Sequence, residues 1–332
     1  MEVEAYLNGI LPRSDDALNT GSAWLKGRET LESYHAILEK ETKEFIELQE
    51  SLNLDYIFDG QLFWDDFLRK IAAALQLHEK GSTADDNAVT RQIYTNTFYR
   101  KPLILKKIKN TNNPLNDDRF LDLIPDGKRK VILPSPFALA YLSGGIHKNK
   151  DSTIRNDAFI EVLFGIAKVL NNEAKRLESE KNVSFIQFNE PCMCYAEETK
   201  DFFHNLAKSL QIATENIKAI TSLHLYNGDA SKFLPDIAKY PINRIGIDAY
   251  STNLNKFADE KFGRFLELGV VNSKNSLIED PEKMAKYGNE AMEKINPQGM
   301  ALVPNRPLEL VPQEIAKKKI ESLAKAKEML NK

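Results

Sequence analysis

The stretch Phe185–Pro191, which reads FIQFNEP, is a short hydrophobic run that stops at polar residues and a proline. Five other runs stop in the same way: Leu54–Phe58 before Asp59-Gly60-Gln61, Lys130–Leu133 before Pro134-Ser135-Pro136, Ile220–Leu225 with His224, Ile245–Ile247 before Asp248, and Met300–Val303 before Pro304-Asn305-Arg306. In a β/α barrel the carboxyl ends of the parallel strands open on one face, and this face holds the active site. The pattern therefore predicts that polar residues from distant parts of the chain meet in one pocket.

Strand-like and helix-like stretches alternate along the whole chain. Val3–Leu7 and Gly269–Val271 complete a set of eight predicted strands, and stretches with helical spacing, such as Asp157–Ser179 and Ser231–Tyr240, lie between them. Tyr94–Phe98 and Leu103–Leu105 would form a β-hairpin excursion outside the barrel. We therefore predict an α/β fold with a single (β/α)8 TIM-barrel domain over residues 1–332.

Composition excludes several classes of function. The net charge of −3 gives no general attraction to nucleic acid or to anionic membranes. No apolar run reaches the length of about 18 residues that a membrane span needs, and Met1–Glu4 does not resemble a signal peptide. The two cysteines, Cys192 and Cys194, are too close in sequence to form a disulfide that links distant parts of the fold, so we expect a reducing, cytoplasmic location.

The polar residues at the predicted strand ends could line a pocket for a small polar ligand. They are Asp59, Gln61, Ser135, Asn189, Glu190, His224, Tyr226, Asp248, Asn272, Asn305 and Arg306. Simpler interpretations exist for single members: Asp59 and Glu190 could accept backbone N–H bonds at helix starts, and His224 could be a hydrogen-bonded structural histidine. From the residues alone, the prediction is a barrel with a polar pocket.

A resemblance makes the prediction more specific. The chain resembles the cobalamin-independent methionine synthase family, which has barrels of the methionine synthase and uroporphyrinogen decarboxylase type. The matching segments follow the family's order over nearly the whole chain: Gly9–Arg13, Gly60–Trp64, Thr95–Tyr99, Pro134–Pro136, Ile186–Pro191, His224–Tyr226, Gly246–Asp248, Gly269–Val271 and Val303–Leu308. The resemblance implies methyl transfer from a methyl-folate or methyl-corrinoid donor to homocysteine in methionine biosynthesis.

The family's zinc site is incomplete in this chain. The resemblance implies a ligand set of His-x-Cys, an acid 22 residues after that Cys, and a second Cys after the last strand. His224 and Asp248 match the histidine and the acid, whereas Tyr226 and Arg306 stand where the two cysteines should be. A phenol is a poor zinc ligand and a guanidinium repels the metal, so we expect no bound zinc and an Arg306 that neutralises Asp248.

With these departures, the chain resembles the N-terminal, zinc-less barrel of the two-barrel enzymes, occurring as a separate chain. The resemblance implies a separate zinc-bearing catalytic barrel as partner and a folate or amino-acid ligand. It also implies substrate-binding positions at Arg13, Gln61, Ser135, Asn189, Glu190 and Arg306, with His224 and Asp248 as remnant metal positions. The alternative is a non-catalytic folate-binding or structural barrel without methyltransferase activity of its own.

Three further features have two interpretations each. Cys192-x-Cys194 could form a relocated metal site or could simply be two small packing residues. The basic residues Arg100, Lys101, Lys106, Lys107 and Lys109 could attract the glutamate tail of a folate or could protect a hairpin edge. Trp64 and Phe98 could stack on a pterin or could belong to the core.

Overall fold

The structure is a computed structural model that describes residues 2–75, 89–91, 98–100, 102–104, 108, 114–145, 157–194, 203–259 and 262–332. The strands are β1 (Glu4–Ala5), β2 (Val89–Arg91), β3 (Phe98–Arg100), β4 (Leu103–Ile104), β5 (Lys130–Pro134), β6 (Gly144–Gly145), β7 (Phe185–Glu190), β8 (Ile220–Leu225), β9 (Arg244–Asp248), β10 (Phe265–Val271) and β11 (Gly299–Pro304). Seven of them form one parallel sheet in the order β1-β11-β10-β9-β8-β7-β5. Helices follow the strands along the chain, as a β/α barrel requires.

The helices are α1 (Asp15–Leu25), α2 (Leu31–Ser51), α3 (Arg69–Ala74), α4 (Pro136–Leu142), α5 (Asp157–Lys181), α6 (Phe203–Ala213), α7 (Leu254–Asp259), α8 (Pro281–Ile295) and α9 (Gln313–Leu330). Several begin at a capping side chain, including Ser14, Thr30, Ser135 and Asp280, each of which accepts a backbone N–H bond from the first turn. None of the helices in the described ranges has both the length and the apolar character of a membrane span.

The predicted second strand lies between the two edges of the sheet but is not a regular strand. The Asp55 N–H donates to the Ala5 carbonyl at 3.0 Å, and Ile57 forms a parallel bridge with Arg129. Side chains replace the remaining ladder bonds: the Asp55 carboxylate accepts from the Ala5 N–H at 2.7 Å, and the Gln49 amide bonds both backbone groups of Phe58. The curled sheet is therefore closed by residues 54–58 through a few bonds, some of them from side chains.

Two local predictions were wrong. The predicted hairpin joined Tyr94–Phe98 to Leu103–Leu105. In the structure β3 instead pairs with β2 in antiparallel fashion and β4 pairs in parallel with β6, because residues 98–100 are extended where a tight turn was expected. Residues 94–97 lie outside the described residues. The helix predicted over Ser231–Tyr240 is two short 3-10 turns, Ala230–Phe233 and Asp236–Lys239, because Pro235 lacks the N–H that a continuous helix would need.

Candidate ligand site at the C-terminal face of the barrel

His224, near the end of β8, is fully buried at the centre of a polar network. Its Nδ1 lies 3.5 Å from Oε2 of Glu267, and its Nε2 lies 2.8 Å from the Asn8 amide nitrogen and 3.1 Å from the Asn305 carbonyl oxygen. The facing carboxylate favours a proton on Nδ1. Nε2 then accepts the hydrogen bond from the Asn8 amide and only contacts the Asn305 carbonyl oxygen. Burial opposes ionisation of Glu267, but the facing His224 ring and the charge of Lys130 together lower the pKa of its carboxyl group.

Asn8 connects His224 to the β7 side of the barrel. The Asn189 amide donates to the Asn8 carbonyl at 3.0 Å, and the Gln187 amide donates to the same carbonyl at 3.1 Å and to Asn189 Oδ1 at 2.6 Å. Asn8 directly follows the predicted first strand, Val3–Leu7, so the rule that polar residues mark strand ends applied to it as well. Asn8 was nevertheless not among the predicted site residues.

Asp248, at the end of β9, is fully buried and surrounded by donors. Its Oδ1 accepts from the Tyr250 N–H at 3.0 Å and from the Asn305 amide at 3.1 Å, and its Oδ2 accepts from the Ser251 hydroxyl at 2.8 Å. Lys274 Nζ lies 3.6 Å from Oδ2 and supplies a positive charge. The network thus joins Asn189, His224 and Asp248 through the side chains and carbonyls of Asn8 and Asn305.

A small cavity lies beside this network. It is lined by Ile10, Gln61, Trp64, Phe67, Ile132, Leu133, Pro134, Asn189, Tyr226, Asn227, Arg306, Pro307, Glu309 and Leu310. Its volume is about 20 Å³, which is space for about one water molecule. The two residues at the implied thiolate positions, Tyr226 and Arg306, therefore line the same cavity as Gln61 and Asn189, which the sequence analysis had placed in the ligand site.

The charges of this cavity differ from the expected arrangement. Within the described part of the chain, Arg306 forms no ion pair with Asp248; its Nε–H donates to the Ser273 hydroxyl at 3.1 Å instead. The proposed neutralisation of Asp248 by Arg306 was wrong, because Lys274 occupies that place. Burial raises the pKa of Glu309 to about 7, and it raises the pKa of Tyr226 well above the ordinary value for a phenol, so Tyr226 is a neutral hydroxyl.

Ser135 and Glu190 have structural partners. The Ser135 hydroxyl accepts from the Ala138 N–H at 2.9 Å as the cap of α4 and donates to Glu190 Oε2. Glu190 Oε1 accepts the backbone N–H bonds of Cys192 and Met193 at 2.8 and 2.9 Å. Burial raises the pKa of Glu190 to about 7 even though these bonds favour its ionised form. Both side chains hold the loop after β7.

Arg13 lies beside the cavity wall. Its guanidinium donates to the carbonyl oxygens of Leu62 and Trp64 at 2.8 and 2.9 Å and lies 3.7 Å from an Asp65 carboxylate oxygen. Arg13 therefore holds the segment that carries Trp64. Asp59, the other candidate with a simpler interpretation, accepts the Gln61 N–H at 3.1 Å.

The donor set does not fit a zinc ion. Across the residues described, no three or more His, Cys, Asp or Glu side chains are close enough together to hold a metal. Cys192 and Cys194 are buried, and burial raises the pKa of the Cys194 thiol, which disfavours a metal-binding thiolate. The side chains of the basic residues 100–109 and of Phe98 lie outside the described residues, whereas Trp64 is buried at the cavity.

Comparison with known proteins gives a consistent result. A family model described as "Cobalamin-independent synthase, Catalytic domain" matches residues 9–328. The chain is 24% identical over 248 residues to a methionine synthase of Thermococcus kodakarensis, with 72% of this chain and 69% of that relative covered. It is 22% identical over 276 residues to a 5-methyltetrahydropteroyltriglutamate–homocysteine methyltransferase of Listeria welshimeri, with 79% of this chain but only 34% of that relative covered.

A solved structure shows the same fold. The B12-independent methionine synthase from Shewanella sp. W3-18-1, in complex with selenomethionine, superimposes with a TM-score of 0.70 at 18% identity, and the match covers 91% of this chain and 90% of that one. The matching family model is that of the catalytic domain, so the comparisons do not single out the N-terminal half of the two-barrel enzymes. The resemblance at the level of the family is confirmed: the chain belongs to the cobalamin-independent methionine synthase family.

Proposed function

We propose that this chain takes part in methyl transfer to homocysteine, from a methyl-folate or methyl-corrinoid donor, together with a separate zinc-bearing barrel of the same family. One observation carries the proposal. Tyr226 and Arg306, at the positions implied for the two thiolates, line a single cavity at the mouth of a barrel that belongs to this family.

The chemistry of the methyl acceptor, homocysteine, explains why a second barrel is needed. A free thiol titrates near a pH of about 8.5, so homocysteine is mostly protonated at neutral pH, and the thiolate is the nucleophile. In the family a bound metal ion stabilises the thiolate form of homocysteine. Here Asp248 is occupied by hydrogen bonds from Tyr250, Ser251 and Asn305, and the His224 ring nitrogens face Glu267 and Asn8. The partner barrel would supply the zinc thiolate.

The hydrogen bonds that these polar side chains make within the barrel also favour a second candidate function. Glu190 and Ser135 bond each other and the backbone, and Asn189 bonds Asn8 and Gln187, so several polar groups at the mouth already have partners. A barrel whose polar groups are satisfied internally could serve as a non-catalytic structural or folate-binding subunit. The two candidates differ in whether the cavity residues matter for turnover.

The experiment measures methyl transfer from methyltetrahydrofolate or methylcobalamin to homocysteine by this chain alone, by a zinc-bearing barrel of the family alone, and by both together. We expect no turnover from this chain alone and a clear stimulation of the partner. Arg306→Gln should abolish the stimulation if the cavity takes part in the reaction, whereas a purely structural subunit would still stimulate. Arg28→Gln, an exposed residue, is the matched control.

Robust turnover by this chain alone would contradict the partner model, as would the lack of any stimulation. A partner barrel in which a zinc-binding cysteine is replaced by alanine should remain inactive in the mixture. Activity in that mixture would show that this chain supplies the thiolate by itself.

A further inference from the structure

Arg306 is a buried cation with unused hydrogen-bond donors. It is 8% exposed, and among the residues that the structure describes it has no carboxylate within ion-pair distance. Of the five N–H donors of an arginine, one has an acceptor, the Ser273 hydroxyl at 3.1 Å from Nε. A buried charge without a counter-charge is costly, and in proteins such charges are normally paired or bound to a ligand.

Two further donors belong to the wall of the same cavity. Trp64 is 2% exposed, and its indole N–H is buried without an acceptor in the described residues. Tyr226 is 4% exposed, and no hydrogen bond of its hydroxyl is found within the described ranges. A buried donor without an acceptor, such as the Trp64 N–H, costs about 1–3 kcal/mol. The cavity therefore combines the two terminal nitrogens of the Arg306 guanidinium, the Trp64 indole N–H and the Tyr226 phenol O–H, none of which has an acceptor among the described residues.

Glu309 is the acidic residue among those that line the cavity, and it does not neutralise Arg306. No ion pair joins the two side chains within the described residues, and burial raises the pKa of Glu309 to about 7, because ionisation in this environment is unfavourable. At pH 6 the Glu309 carboxyl group is mostly protonated, and the charged residue lining the cavity is then Arg306.

We propose that this cavity binds the carboxylate group of a small molecule, with Arg306 as the counter-ion and Trp64 and Tyr226 as further donors. The planar guanidinium fork matches the two oxygens of a carboxylate better than it matches a spherical anion. The cavity has space for about one water molecule, so binding of a carboxylate group requires its wall, which includes the 44% exposed Leu310, to open. This inference goes beyond the proposed function, because it holds whether or not methyl transfer occurs.

The test uses the fluorescence of Trp64. Trp24 and Trp64 are the two tryptophans of the chain, so a Trp24→Phe variant reports on the cavity alone. Sodium acetate is titrated at pH 6, with acetamide as the neutral analogue and sodium chloride as the ionic-strength control. We expect a saturable change with acetate and none with acetamide. Arg306→Gln should weaken acetate binding at least about tenfold, which corresponds to about 1.4 kcal/mol.

Two variants separate binding from folding. Arg28→Gln removes the same charge at an exposed position and should leave acetate binding unchanged. Tyr226→Phe removes one donor and should weaken binding several-fold, while thermal melting confirms that both cavity variants are folded. Equal responses to acetate and chloride, equal binding by the Arg306→Gln variant, or no saturable change with acetate would each overturn the proposal. Methyl transfer is not part of this assay, so its result is independent of the proposed function.

Discussion

Replacing Gly246 by alanine should destabilise the protein strongly, because Gly246 makes room for the central histidine. In the sheet, Gly246 of β9 is the register partner of His224 on β8 and of Glu267 on β10. A Cβ at this position would lie 2.0 Å from His224 Nδ1 and 2.7 Å from Glu267 Oε2. Both of those side chains are fully buried.

The size of the effect follows from this geometry. The imidazole would have to move by more than about 1 Å to reach a normal contact distance. That movement breaks the hydrogen bond between Nε2 and the Asn8 amide, at about 0.5–1.5 kcal/mol, and overpacking of a buried site adds about 1–3 kcal/mol. We therefore expect Gly246→Ala to lower the free energy of unfolding by about 1.5–4.5 kcal/mol.

The assay is equilibrium unfolding in urea, with Gly288→Ala as the matched control. The Cβ of that variant, on α8, would meet the ends of two flexible side chains, Leu330 Cδ1 at 3.0 Å and Met300 Cε at 3.3 Å. Because alanine also favours the helix by up to about 1 kcal/mol, the control should change stability little. In a His224→Ala background, Gly246→Ala should cost much less. A loss below about 1 kcal/mol for Gly246→Ala in the wild-type background would refute the reasoning.

Three further predictions concern the charges of the site. The purified chain should contain well below one equivalent of zinc; a full equivalent that is lost in a His224→Ala variant would contradict this. Arg306→Met should raise the free energy of unfolding by about 1–3 kcal/mol in urea, because it removes a buried cation without an ion pair, and a clear decrease would argue against an unpaired charge. Burial raises the pKa of Glu309 to about 7, above its unfolded value, with Asp66 raising it further and Arg306 and Arg13 opposing. The protonated Glu309 carboxyl group contributes to stability fully below pH 4.5, and this contribution is lost as the pH rises through 7. Glu309→Gln should therefore reduce the loss of unfolding free energy between pH 5 and 8 by up to about 2 kcal/mol, measured by urea unfolding at a series of pH values. An unchanged dependence of the unfolding free energy on pH would contradict the raised pKa.

The sequence by itself was enough to predict the barrel, because the relevant signals are local. A short apolar run such as Phe185–Phe188 forms a buried strand, and the polar residues after it mark the strand end wherever the strand lies. The family could be predicted for the same reason, since its motifs are short segments that follow one another along the chain. The irregular second strand was beyond this kind of signal, because Asp55 and Gln49 replace ladder bonds with side chains from other elements.

The tertiary structure decided which polar side chains meet. Asn8, His224 and Asn305 are separated by 216 and 81 residues, and only the stagger of the strands around the barrel brings them into contact. The same stagger turns Arg306 toward Ser273 and the cavity, whereas Lys274 comes to lie beside Asp248. Whether a residue lies at a strand end can be predicted from its neighbours along the chain. The partner of its side chain depends on the relative heights of strands far apart in sequence, and packing of the whole barrel sets those heights.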